Sequence, residues 1–198
     1  DVAAGFYKPK TNSIFEKFLA TYTGVMPDKL DVQNFLPSSR SVAFKKSAWG
    51  KVKGYPEKLD TCEDLVFAKR MKIVGLKFLT VKNAIVLWPQ RKNIFQAARQ
   101  FYSYAKGDGE ASYFRKTTPF LFGRYIVGIT ILVYAIYNSN YQLLNTCYLL
   151  LALYLLWSVY KNYKYVNHWK AFLYLPLLQT VSDVAVLAGT TVGLIRRA

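Results

Sequence analysis

Histidine is nearly missing from this chain, with His168 alone, and cysteine is represented only by Cys62 and Cys147. No zinc cluster can be assembled from that inventory. The two cysteines form no Cys-x-x-Cys pair and fall in regions of opposite character, so a reducing compartment is expected. Acidic side chains are scarce as well: 11 Asp and Glu stand against 27 Lys and Arg, a formal net charge of +16. That balance suits phosphorylated substrates, anionic lipid headgroups or nucleic acid. No Lys/Arg-rich tract or nucleic-acid motif is present, so no nucleic-acid partner is expected. The chain opens at Asp1 on a strand-like run without a signal peptide, which reads as a truncation of a longer protein.

What is abundant is apolar residues, 53% of the chain, and they are unevenly placed. Residues 1–118 hold 21 of the 27 basic and 10 of the 11 acidic side chains, and the rest is dominated by Leu, Tyr, Val, Ile and Ala. A soluble module followed by a lipid-facing one is the expected organisation.

Within the soluble part, helix and strand patterns alternate, which points to an α/β domain. Val2–Tyr7 reads as a strand. Ser13-Ile-Phe-Glu16 has the form of a capping box, followed by Phe15, Phe18, Leu19 and Tyr22 at helical spacing and by Gly24 as a C-terminal cap. The stretch 26–37 reads as a loop, Ser41–Phe44 as a short strand, and Lys46–Val52 as a short helix ended by Gly54-Tyr-Pro56. Thr61-Cys-Glu-Asp64 opens a helix with an apolar line of Leu65, Ala68, Met71 and Val74 and a stop at Gly75. Lys77–Trp88 suits one or two strands. From Asn93 to Lys106, Phe95, Ala98, Phe101, Tyr102 and Ala105 line one face, with Gln96, Arg99, Gln100 and Ser103 opposite. That pattern fits a helix lying along a membrane surface, and equally a surface helix on a soluble core.

Residues 119–137 and 141–160 are each long enough to cross a bilayer at 1.5 Å per residue. Between them lies the uncharged Asn138-Ser-Asn140, while Arg115, Lys116, Lys161, Lys164 and Lys170 flank the outer ends. The positive-inside rule makes this a hairpin with cytoplasmic ends and places the soluble module in the cytoplasm, in a multi-pass protein of the cell membrane. A third apolar stretch, 171–195, carries Gln179, Ser182, Asp183, Thr190 and Thr191 and ends in Arg196-Arg197; spanning, re-entry and an interfacial position are all open. Arg124 and Asp183, ionisable groups at membrane depth, face protein or water, as an ion pair or in simple interior packing.

Glu63-Asp64 is the most informative pair. A carboxylate at a helix entrance can face a cleft and accept the proton of an attacking hydroxyl. Acidic residues also favour helix starts for purely structural reasons, and Thr61 with Asp64 fits a capping box. Arg40, Arg91, Arg99 and Lys106 are candidates to hold phosphate oxygens. Trp88 and Tyr104 are candidates to line a sugar or lipid path, or to anchor at an interface.

The order of motifs is more specific than any one of them. Pro37-Ser-Ser-Arg-Ser-Val-Ala-Phe-Lys-Lys-Ser-Ala-Trp49, Gly54-Tyr-Pro-Glu57, Cys62-Glu-Asp-Leu65 and Gly75 follow in sequence, then Leu87-Trp-Pro-Gln-Arg91 and Phe101-Tyr-Ser-Tyr-Ala-Lys-Gly-Asp-Gly109. Together, across roughly residues 1–115, they resemble family 2 glycosyltransferases, with Lys53 in place of the first glycine of the family's Gly-Gly-Phe/Tyr-Pro-Glu turn. The resemblance implies the acceptor-side half of a GT-A type α/β domain at 1–91, an amphipathic interface helix and linker at 92–118, and a membrane domain at 119–198. It makes Asp64 the general base and Glu63 a neighbour shaping the acceptor site. Gln96-Ala-Ala-Arg99-Gln100 is similar to the Gln-x-x-Arg-Trp motif of processive members, with Gln100 replacing the aromatic residue.

The implied partners are a nucleotide-sugar donor, a lipid-linked or saccharide acceptor of the cell-envelope polysaccharide kind, and membrane lipids. A divalent metal, Mg or Mn, is implied too, on an Asp-x-Asp motif that this sequence does not contain, so the chain alone is expected to bind donor weakly or not at all. The rival is a non-catalytic membrane protein whose basic module binds anionic lipid or a partner, in which Asp64 only caps a helix. A transporter with Arg124 and Asp183 in its pathway has few spans to work with.

Overall fold

The computed structural model describes residues 1–30 and 35–197. Strand β1 (Val2–Lys10) lies between β2 (Val42–Phe44) and β3 (Phe78–Pro89), antiparallel to the first and parallel to the second. The β1–β3 register slips between Ala4 and Phe6, where Ala4 faces Thr80 but Phe6 faces Ile85. Gly5 sits at that irregularity, and a methyl group there would run into Ser41 and the Ala84 carbonyl. Lys77–Trp88 is thus one long strand with a bulge.

Helix α1 (Ile14–Thr23) starts as its sequence signals, with the Ser13 hydroxyl accepting from the Glu16 N–H. The return bond goes one residue further back, from the Asn12 N–H to the Glu16 carboxylate. Gly24 closes the helix at φ −103°, in extended rather than left-handed backbone. Within the stretch read as a loop, Pro27–Lys29 forms a 3-10 turn, and residues 31–34 lie outside those described. Helix α2 (Lys46–Lys51) is followed by Lys53 and Gly54, both at positive φ.

Helix α3 (Glu63–Ile73) differs from expectation at its start. Its N-cap is Cys62 in the left-handed region at φ +68°, with no side-chain cap. Thr61 caps nothing: its hydroxyl donates to the Ser103 carbonyl at 2.7 Å and ties the helix entrance to a neighbouring helix. The buried face is Phe67, Ala68 and Met71, while Val74, expected on the apolar line, is exposed. Phe67 stacks on Tyr55 at 4.0 Å and meets Phe44 edge-on, which fixes α3 against β2 in an apolar cluster with Val2, Val52 and Met71.

Helix α4 (Ile94–Glu110) is capped by Asn93, whose side chain accepts from the Gln96 N–H. Its inward face is Ala97, Gln100, Phe101, Ala105 and Gly107–Gly109, while Phe95 is 83% exposed. The expected division of faces is therefore wrong at Phe95 and Gln100. Helices α5 (Thr118–Tyr137) and α6 (Tyr141–Val166) form the expected hairpin, and α7 (Ala171–Arg197) follows. All three are long and apolar enough to cross a membrane.

Their environments differ. Only 11% of the apolar window of α5, and of α6, is buried, against 33% for α7. Helix α7 packs along α4 and against α1 and α6, with Leu175 and Leu178 in one cluster with Phe18, Leu19 and Ala97. Part of the α4 face read as meeting a membrane surface, at Tyr102 and Ala105, is covered by α7, while Phe95 stays exposed.

Candidate functional site

Four elements bring the site together. The N-terminus of α3, the 38–40 turn before β2, the end of β3 and the middle of α4 converge on a cavity of about 750 Å³. Its far wall is Thr117 and Thr118 at the start of α5 with Ser182, Val186 and Thr190 of α7. Because Phe67 and Met71 lock α3 against the sheet, the first turn, with Glu63 and Asp64, is held at the cavity edge.

Asp64 is half-buried there. One carboxylate oxygen accepts from the Leu65 N–H at 2.8 Å and the other from the Ser39 N–H at 3.3 Å. Two backbone donors fix its orientation and leave lone pairs for a proton from the cavity. Glu63 is half-buried beside it.

Arg40 lies across from this pair. Its guanidinium is 4.3 Å from the centre of the Trp88 ring and 5.6 Å from that of Tyr7, and those two rings meet edge-on. One nitrogen donates to the Tyr104 hydroxyl at 3.0 Å and another to the Ser38 hydroxyl at 3.3 Å. Tyr104 also accepts from the Gln100 amide at 3.3 Å, and Gln100 in turn accepts from Arg91 at 3.1 Å. The Tyr104 oxygen thus takes two donors, so its own O–H points elsewhere and can serve a ligand. Burial raises the Tyr7 phenol above its ordinary pKa, against the lowering pull of Arg40.

The cavity floor holds an ion pair absent from the sequence reading: Arg115 donates to Asp108 at 2.5 Å and 3.4 Å. Cys62 sits against Asp108, and burial first, then that carboxylate, pushes its thiol well above the usual range, so it stays protonated. Tyr7, Asp60, Asp108 and Arg115 all line the cavity without having been singled out as site residues. The signal for Asp108 is the Gly-Asp-Gly run, where Gly107 lets Thr61 approach and Gly109 lets α7 approach; nothing local marks Tyr7.

Of the nine singled-out residues, Asp64, Glu63, Arg40, Trp88 and Tyr104 meet in the cavity. Arg91, Gln96, Arg99 and Lys106 are outside its lining. Arg91 is linked to it through Gln100. Gln96 is occupied in closing the start of α4, accepting from the Lys92 N–H at 3.1 Å. Lys106 pairs with Glu110 at 3.2 Å, one turn on, and Arg99 is exposed. Among the described residues no three His, Cys, Asp or Glu side chains converge, so these residues do not fit a Mg or Mn ion by themselves. Compared with protein-family models, curated proteins and solved structures, the chain matches none.

Proposed function

We propose that this chain is the acceptor-side part of a membrane-bound family 2 glycosyltransferase, GT-A in type, which passes a sugar from a nucleotide-sugar to a lipid-linked or saccharide acceptor. The observation that carries the reading is one shared space: Asp64 opens onto the same cavity as Arg40, Trp88 and Tyr104, and that cavity is walled by helices apolar enough for a bilayer. A carboxylate, a stacked cation and aromatic rings beside the lipid are the groups such a transfer needs.

In this mechanism an acceptor hydroxyl attacks the anomeric carbon, the bond from that carbon to the diphosphate oxygen breaks, and Asp64 takes the hydroxyl proton. Arg40, held over Trp88, meets phosphate oxygens with the guanidinium edges that do not face Tyr104 and Ser38. Glu63 shapes the acceptor side. If the acceptor is itself an ionised phosphate, no proton needs removing and Asp64 only orients it. The positive flanks Arg115, Lys116, Lys161, Lys164 and Lys170 favour a cytoplasmic position for this site.

Asp64→Asn in the intact membrane-bound protein tests the proposal. Transfer of labelled sugar to membrane acceptors is expected to fall by roughly 10²–10⁴-fold, with thermal unfolding unchanged. Undiminished transfer removes Asp64 as the base. Failure of a panel of nucleotide-sugars to label anything with the unaltered protein favours the non-catalytic, lipid- or partner-binding reading.

A further inference from the structure

We infer that α7 does not cross the bilayer: it lies in the interface on the soluble module's side, with one apolar stripe in lipid. The inference rests on where its two ends are held and does not depend on sugar transfer. At its start, the Tyr22 hydroxyl of α1 donates to the Leu175 carbonyl at 2.8 Å, and Phe15 and Phe18 pack on Tyr174. At its end, Arg197 bonds to Ser112, in the turn that joins α4 to α5. Both anchors are on the side where α5 begins and α6 ends, opposite the 138–140 turn.

Between its ends α7 follows α4 in parallel. A methyl group at Gly189 would strike the Tyr102 carbonyl, and one at Gly193 the Lys106 carbonyl. Twenty-seven residues amount to about 40 Å at 1.5 Å per residue, and that length is laid mainly along α4, with Gln179 and Asp183 in its first half bonded to α5 and α6. A spanning helix would instead finish near the hairpin's far turn. It would also strand Arg196 and Arg197 across the membrane, against the distribution of the other basic flanks.

The outward stripe fits lipid. Leu173, Leu177, Thr180, Val184, Ala188, Thr191 and Ile195 recur at three- and four-residue spacing, exposed and uncharged. The opposite face carries Asp183, Gln179 and Thr190, all buried. Asp183 bonds Arg124, six residues into α5 or about 9 Å along it, and Tyr154, twelve residues before the end of α6. Trp169 and Tyr160, 72% and 83% exposed, sit beside Lys170 and Lys161 at the same border.

Single cysteines in a Cys62→Ala, Cys147→Ala background test this in sealed vesicles with a membrane-impermeant maleimide. Arg196→Cys is expected to react from the same side as Lys58→Cys in the soluble module, and labelling from the side of Ser139→Cys is expected to be lost. Spin labels at Leu177, Val184, Ala188 and Ile195 are expected to report similar shallow depths. Reaction of Arg196→Cys from the Ser139→Cys side, or label depth passing steadily through the bilayer centre, overturns the inference.

Discussion

Tyr104 shows how much chemistry a single hydroxyl can concentrate. With the Arg40 guanidinium and the Gln100 amide both donating to its oxygen, the phenol becomes a better donor to whatever enters the cavity. Tyr104→Phe removes that donor and orphans two others, and a hydrogen bond to a charged group contributes about 1.5–3 kcal/mol. In the proposed transfer reaction the expected result is a raised KM for the acceptor with a smaller change in kcat, measured by acceptor titration. Arg40→Lys keeps the charge but loses the guanidinium held over Trp88 and its forked edges. A loss of about 0.5–2 kcal/mol, read in the same titration, is expected. Cys62 gives a check that needs no substrate. Its thiol pKa is raised, so the protonated form adds stability below the ordinary value of 9.0, and that contribution is lost as pH climbs from 9.0 through the raised value. At pH 8 the folded protein is expected to resist maleimide at Cys62 and to react promptly in denaturant.

At the scale of elements, the helices and strands were mostly legible because periodicity is local. Ser13 and Glu16 announce α1, the apolar spacing from Asn93 to Lys106 marks α4, and the uncharged 138–140 turn separates two apolar runs. What failed was everything decided by a neighbour. Gln100 was read as outward because it is polar, yet it is buried between Arg91 and Tyr104. The spacing makes Thr61 a cap, yet its hydroxyl donates to the Ser103 carbonyl instead. The site divided in the same way: Glu63 and Asp64 follow from the helix start, but Arg91, Gln96, Arg99 and Lys106 fell away once α4 turned a different face inward. The reason is visible in the glycines. Gly109, Gly189 and Gly193 let the backbones of α4 and α7 meet, and composition does not say which helices will touch. Gly193→Ala and Gly189→Ala are each expected to destabilise by about 1–3 kcal/mol through overpacking against backbone. Gly123→Ala and Gly128→Ala, with open space around the added methyl group, are expected to be neutral or to stabilise by up to about 1 kcal/mol. Thermal unfolding followed by tryptophan fluorescence in detergent separates the two pairs.

At the scale of the whole molecule, two acidic residues join parts far apart in sequence. Asp28, beyond α1, accepts from Lys164 and Tyr165 at the end of α6, and those bonds lower its carboxyl from 3.8 to about 2. A depressed carboxylate stabilises above its ordinary value and loses that contribution as pH falls from 3.8 through about 2. Because Asp28 is fully solvent-exposed, the effect is expected to be small, to be screened by salt and to vanish in Asp28→Asn.

Asp183 is the opposite case. It is 4% exposed and accepts from Arg124 at 2.7 Å, Tyr125 at 3.0 Å, Tyr154 at 2.6 Å and Gln179 at 2.9 Å, so one carboxylate ties α5, α6 and α7. The sequence left an ion pair and plain interior packing open; the pair forms, and Arg124 also lies 4.3 Å over the Tyr154 ring. Removing Asp183 leaves the exposed Arg124 charge and the Tyr125, Tyr154 and Gln179 donors without their acceptor, a loss of about 1–3 kcal/mol. Asp183→Ala is therefore expected to loosen the hairpin from α7 and lower the unfolding temperature in detergent. Replacing both charges, Arg124→Met with Asp183→Leu, strands neither and is expected to lose much less. Equal losses in the single and double variants mean that Tyr125, Tyr154 and Gln179, left without their acceptor in both, account for the effect rather than the Arg124 charge.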